Sequence, residues 1–246
     1  SGHINKDQGG KYRQINRFVE LMSHLILENQ QLRHKKTLQV IEVGSGKGYL
    51  SFALYNYLKN HLDRKVDYTG IELRSDLVEK CNELSTILEF NGLRFQKNDA
   101  LNLKQNEVDL FVALHACDTA TDFALYQGIR SNADLIVTAP CCHKEVRRNL
   151  KSQIENPILR HGILKERQCE ILTDTLRSLV LEDVGYKSKV FEFISNEHTS
   201  KNIMVVGQKN KDDHDQKFNL EKSKSFMLKN GIEEQSLVTL IEKDLP

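Results

Sequence analysis

Apolar side chains recur at helical spacing in Ile15, Phe18, Val19, Met22, Leu25 and Ile26, which predicts a helix over residues 12–31. The period then breaks. Gln39-Val-Ile-Glu-Val43 is a short, mostly β-branched run, the pattern of a strand buried on both faces. Tyr49, Leu50, Phe52, Ala53, Leu54, Tyr57 and Leu58 restore the helical period at once. The alternation continues with a strand over 67–72, a helix over 75–90 with Ser75 as N-cap, and a third strand ending near Phe95–Ala100. Val108–Leu114 and Ala133–Ala139 predict a fourth and a fifth strand, and 158–184 a long helix. Residues 187–194 and 202–207 then read as an antiparallel hairpin. Strands alternating with helices imply an α/β fold: a mostly parallel sheet with helices on both faces, closed at one edge by the hairpin.

Composition narrows the picture only in places. A chain of 246 residues is long enough for one large domain with a proper core. Lys plus Arg total 35 against 34 for Asp plus Glu, so nucleic-acid affinity has to come from a local patch. Five cysteines, an odd number without paired spacing, point to reduced thiols and a cytoplasmic protein. No run approaches the ~18 apolar residues of a membrane span, and no stretch reads as a signal peptide. Residues 1–10 read as a cleavage scar or linker and 11–208 as the main domain. A charged linker over 209–217 and a helical appendage over 218–246 follow; helices over 219–229 and 233–243 are split there by Asn230-Gly231.

Three glycines at alternate positions, Gly44, Gly46 and Gly48, separate the first strand from its helix and follow the acid Glu42. The spacing is neither the dinucleotide pattern nor the phosphate loop, because Lys47 precedes Gly rather than Ser or Thr. It resembles the first motif of S-adenosylmethionine-dependent methyltransferases. Glu72 and Asp99, acids at the second and third strand ends, suit that reading, since an acid after the second strand of such a sheet accepts from ribose hydroxyls. Four further segments resemble one methyltransferase family, which includes the methyltransferase domain of the glutathione S-transferase C-terminal-domain-containing protein. They are Lys11-Tyr-Arg-Gln-Ile-Asn-Arg-Phe18, His115-Ala-Cys-Asp-Thr-Ala-Thr-Asp122, Ala139-Pro-Cys-Cys-His-Lys144 and His198-Thr-Ser-Lys-Asn202. The second and third are also similar to eukaryotic tRNA 2′-O-methyltransferases of the acceptor stem. The resemblance covers about residues 11–208 and implies a seven-stranded Rossmann-like methyltransferase sheet with S-adenosylmethionine as cofactor.

On that resemblance, Glu42, Gly44, Ser45 and Gly46 face the methionine part of the cofactor, Glu72 and Leu73 the ribose, and Asp99 and Ala100 the adenine. Leu114 and His115 stand over the transferable methyl group, and Lys11, Tyr12 and Gln14 fold back across it. Three readings of the segments after the fourth and fifth strands stay open. His115, Asp118, Asp122 or His143 orients and deprotonates the acceptor. Alternatively, Cys141 or Cys142 attacks a pyrimidine carbon, helped by His143. The third reading is zinc, but adjacent cysteines without Cys-x-x-Cys spacing speak against a metal.

Lys144, Arg147, Arg148 and Lys151 fall on one helix face, and Arg13 and Arg17 pair on the first helix. Such a stripe suits an RNA backbone. The reading is therefore a methyltransferase acting on RNA, at a ribose 2′-hydroxyl if the acceptor-stem resemblance extends to chemistry. A protein or small-molecule acceptor, or a non-catalytic cofactor-binding scaffold, is the alternative. The lack of Asn/Asp-Pro-Pro-Tyr after the fourth strand argues against adenine N6 methylation.

Overall fold

A computed structural model describes residues 9–103, 107–114, 116, 118–150, 157–195, 201–210 and 219–244. Helix α1 (Gly9–Glu28) leads into β1 (Thr37–Val43), α2 (Tyr49–Asn60), β2 (Lys65–Glu72), α3 (Ser75–Ile87) and β3 (Leu93–Lys97). A 3-10 turn at Ala100–Asn102 precedes β4 (Leu110–Leu114), α4 (Thr119–Arg130), β5 (Leu135–Ala139) and the short α5 (Lys144–Asn149). Helix α6 (Gly162–Asp183), the hairpin β6 (Tyr186–Glu192) and β7 (Ile203–Lys209), and helices α7 (Glu221–Asn230) and α8 (Ser236–Asp244) complete the chain.

The seven strands lie in the order β3-β2-β1-β4-β5-β7-β6. All neighbouring pairs are parallel except those of β7, which runs antiparallel to both β5 and β6. Alternation along the central strands sorts the core into two layers. Leu110, Val112 and Leu114 of β4 join the layer under α1, α2 and α3; Phe111 and Ala113 join the layer under α4, α6, α7 and α8. The order reverses between β1 and β4, and at such a switch point the carboxyl ends of open α/β sheets form a crevice.

Helix ends depart from the sequence pattern where a distant group takes over. Helix α1 starts at Gly9 and stops at Glu28, because the Asn29 carboxamide accepts from the amides of Gln31 and Leu32 and turns the chain. Ser75 is the first helical residue of α3 rather than its cap. Arg74 is the N-cap and supplies no capping side chain, while the nearby Glu72 carboxylate accepts from the amides of Leu73 and Arg74. The same helix ends at Ile87, where Glu89 adopts φ 55° and the Phe90 amide returns to the Ser85 carbonyl. His115, Lys151 and the His198-Thr-Ser segment lie outside the described residues.

Candidate active site

The turn after β1 is sewn to the end of β2. The amides of Gly44 and Ser45 donate to the Ile71 carbonyl at 2.9 and 3.0 Å, and the Gly46 amide donates to Glu72 Oε2 at 2.9 Å. Gly46 takes φ 56°, which favours a residue without Cβ. Glu72 Oε1 accepts from the Leu73 and Arg74 amides and the Arg74 guanidinium, each at 3.1 Å. Burial pushes this carboxyl up, but the Arg74 and Gly46 bonds prevail and hold it below the usual range.

Glu42 behaves in the opposite way. It is buried beneath the turn, and its Oε2 accepts from Ser51 Oγ and, at 2.9 Å, from Tyr68 Oη. Burial outweighs both bonds and raises its pKa to about 7.

A cavity of about 130 Å³ opens here, lined among others by Lys11, Gln14, Glu42, Gly44, Ser45, Gly46 and Leu114. Seven residues expected from the sequence thus meet in one place, with Glu72 one hydrogen bond away. Lys47 and Tyr49 also line the cavity and were not anticipated as site residues. Lys47 lies within the glycine motif and Tyr49 directly follows it, so their proximity was the available signal. Lys11 Nζ sits 4.4 Å from the Tyr49 ring centre, and burial together with the Lys47 charge lowers its pKa. Tyr12 and Leu73 are exposed and do not line this cavity. Asp99 Oδ1 caps the 3-10 turn through the Leu101 amide at 3.0 Å, and Ala100 is buried in the core.

The remaining candidate residues lie after β4 and β5, against the helices behind them. Asp118 Oδ1 accepts from the amides of Lys144 and Glu145 at 2.8 and 3.0 Å, so its carboxylate closes the start of α5. Asp122 is 1% exposed and bonded twice, at 2.9 Å each, by Arg177. Both of its oxygens are engaged by Arg177, so this carboxylate ties the helices together. His143 is buried with Nε2 at 3.1 Å from both oxygens of Asp174. The sulfurs of Cys141 and Cys142 lie 3.7 Å apart beside it.

Asp174 and Arg177 escaped the sequence reading, although one signal was available. Cys169, Leu172, Leu176 and Val180 form the apolar stripe of α6, and Arg177 falls on that stripe. A buried arginine demands acidic partners.

The basic stripe of α5 is partly neutralised. Arg147 pairs with Glu166, and Arg148 lies 3.7 Å from Asp118. Lys144 is exposed. On α1, Arg17 pairs with Glu20 at 2.7 Å and donates to the Phe193 carbonyl, while Arg13 is exposed.

This sheet order, glycine turn and pair of strand-end acids define an S-adenosylmethionine-dependent methyltransferase. A family model described as a methyltransferase domain matches residues 10–149, and the chain belongs to that family. It is 24% identical over 234 residues to the glutathione S-transferase C-terminal domain-containing proteins of Homo sapiens and Macaca fascicularis. The match covers 84% of this chain and 34% of theirs, so the chain spans about a third of their length.

Solved structures share the fold. The CMeT domain of the citrinin polyketide synthase superposes with a TM-score of 0.52 at 12% identity, covering 80% of this chain and 52% of that one. Magnesium protoporphyrin IX methyltransferase from Synechocystis PCC 6803, solved with bound S-adenosylhomocysteine, gives 0.51 at 15% identity, with coverages of 85% and 90%.

Proposed function

We propose that this enzyme methylates RNA in the cytoplasm, at a hydroxyl group such as the ribose 2′-hydroxyl, with His143 taking the hydroxyl proton. S-adenosylmethionine supplies an electrophilic methyl group on a sulfonium, so the acceptor oxygen gains a methyl as its O–H bond breaks. The chain's own side chains fit the donor: Lys11 and Lys47 suit its carboxylate, Glu42 its amino group, and Glu72 its ribose. Asp99 would face the adenine.

The observation that carries the proton-transfer reading is the His143–Asp174 pair. With Nε2 engaged by a carboxylate, Nδ1 is the nitrogen left to accept a proton. Lys144, Arg147 and Arg148, on the helix that follows His143, support a polyanionic acceptor, as does Arg13 on α1. Arg17 and Lys151 belong to the same proposal.

A second reading, a small-molecule acceptor, is favoured by a cavity of about 680 Å³ between α6 and the β6–β7 hairpin, where Ile171, Leu179, Val190 and Ile203 form apolar walls.

Methyl-labelled S-adenosylmethionine offered with stripped total RNA and, separately, with a small-molecule extract distinguishes the two. Label recovered as 2′-O-methylnucleoside, together with loss of RNA binding but not cofactor binding in the double variant Arg147→Glu/Arg148→Glu, is the expected result. Label confined to small molecules, or RNA binding that survives the charge reversal, would overturn it.

A further inference from the structure

His143 stands at the end of the loop leaving β5, with its ring only 4% exposed. A carboxylate accepts and cannot donate. Burial pushes the Asp174 carboxyl up, but the bond from His143 and the charge of Arg177 outweigh it and keep the group ionised below the usual value. Nε2 therefore carries the hydrogen. Nδ1 is buried and has no hydrogen-bond partner among the described residues.

Asp174 is in turn fixed by Arg177, which is 1% exposed. One edge of the guanidinium bonds Asp174 Oδ1 at 3.0 Å through Nη1. Nε and Nη2 grip the two oxygens of Asp122 at 2.9 Å, and Nη2 also donates to the Asp118 carbonyl at 3.0 Å. Asp118 is the residue whose side chain caps α5 directly after His143. One arginine thus steadies the imidazole through Asp174 and the following backbone through Asp118. Asp122 accepts a further bond, at 2.7 Å, from Gln235 at the start of α8, a side chain with no exposure.

We propose that Asp174 and Arg177 are positioning residues that hold His143 in its Nε2–H tautomer, which leaves Nδ1 as the basic nitrogen, and that Gln235 ties the C-terminal helices into this arrangement. The catalytic consequence rests on His143 being the proton acceptor; the tautomer itself does not.

Asp174→Asn tests the idea with little change of volume. Arg177 Nη1 will claim the amide oxygen, which puts the amide nitrogen, a donor, at the other position 3.1 Å from Nε2 and favours moving the ring hydrogen to Nδ1. Nitrogen-edited magnetic resonance of the full chain with labelled histidine reads the tautomer directly, the His143 signal being identified by its loss in His143→Gln. The expected result is Nε2–H in the wild type and Nδ1–H in Asp174→Asn. S-adenosylmethionine affinity should be unchanged, while kcat for RNA methylation falls about a hundredfold or more. Arg177→Lys keeps the charge but loses the fork; if Asp174→Asn fails to fold, it should show mixed tautomers. A wild-type ring protonated at Nδ1, or a tautomer indifferent to both substitutions, would overturn the inference. Full activity in His143→Gln would overturn the proton-acceptor reading instead, leaving the tautomer result to stand or fall alone.

Discussion

Glu42→Gln should remove most of one pH-dependent component of folding stability. The carboxyl is 2% exposed, and Ser51 and Tyr68, which donate to its Oε2, are neutral hydroxyls. Burial therefore dominates and lifts its pKa from 4.5 to about 7. Below 4.5 the folded and unfolded chains both hold the proton; above about 7 neither does. Between those limits the folded chain keeps a proton that the unfolded chain has released, so stability falls as pH rises. At ~1.4 kcal/mol per pKa unit, the ionised form is penalised by about 3 kcal/mol at pH 8. Glutamine can still accept from Ser51 and Tyr68 but cannot ionise. Urea unfolding of both proteins without ligand, at several values from pH 5 to pH 8, isolates the effect, because the other titrations cancel in the difference. The variant should gain on the wild type as pH rises, by up to about 3 kcal/mol at the alkaline end. A stability difference that stays flat over this interval would refute the reasoning, since it would mean that the Glu42 carboxyl is solvated in the folded chain.

Two further substitutions probe opposite ends of the β2–β3 pair. Glu72→Ala removes the carboxylate that anchors the Gly46 amide; calorimetric titration of S-adenosylmethionine should show affinity weakened about tenfold, ~1.4 kcal/mol, and unchanged affinity would place the ribose elsewhere. Gly92→Ala would set a Cβ 2.1 Å from the Val66 carbonyl oxygen, with the Tyr55 hydroxyl at 3.0 Å. Backbone has to shift, so a loss of about 1–3 kcal/mol or more is expected, read as a lower midpoint in scanning calorimetry.

The strands were legible because each is a short apolar run whose burial is decided by its own side chains. The glycine turn was legible for a related reason: Gly44 to Gly48 are contiguous with the strand and the helix they join. Helix ends were harder, since Asn29, Glu72 and Ser85 redirect the backbone through bonds that no period announces. The acceptor side was the least legible. Asp118 and Asp122 read as candidate bases because both are acids beside a strand end. Only the folded chain brings Arg177, 55 residues beyond Asp122, to bind that carboxylate. His143 was visible as a residue type, but the acid that sets its tautomer sits 31 residues away on another helix.

The C-terminal helices share one core with α4 and α6, and Gln235 lies 113 residues beyond the aspartate it bonds. Ser236 similarly supplies both its amide and its hydroxyl to Glu145, whose carboxyl burial has raised. During synthesis at about 5–20 residues per second, Asp122 leaves the ribosome roughly ten seconds before Gln235. Until Gln235 and Ser236 follow, Asp122 has only Arg177 to bind it and Glu145 lacks the Ser236 bonds, while β1 to β4 around the glycine turn are already made. The strands that frame the glycine turn are thus synthesised well before the helix that completes the bonds of Asp122 and Glu145.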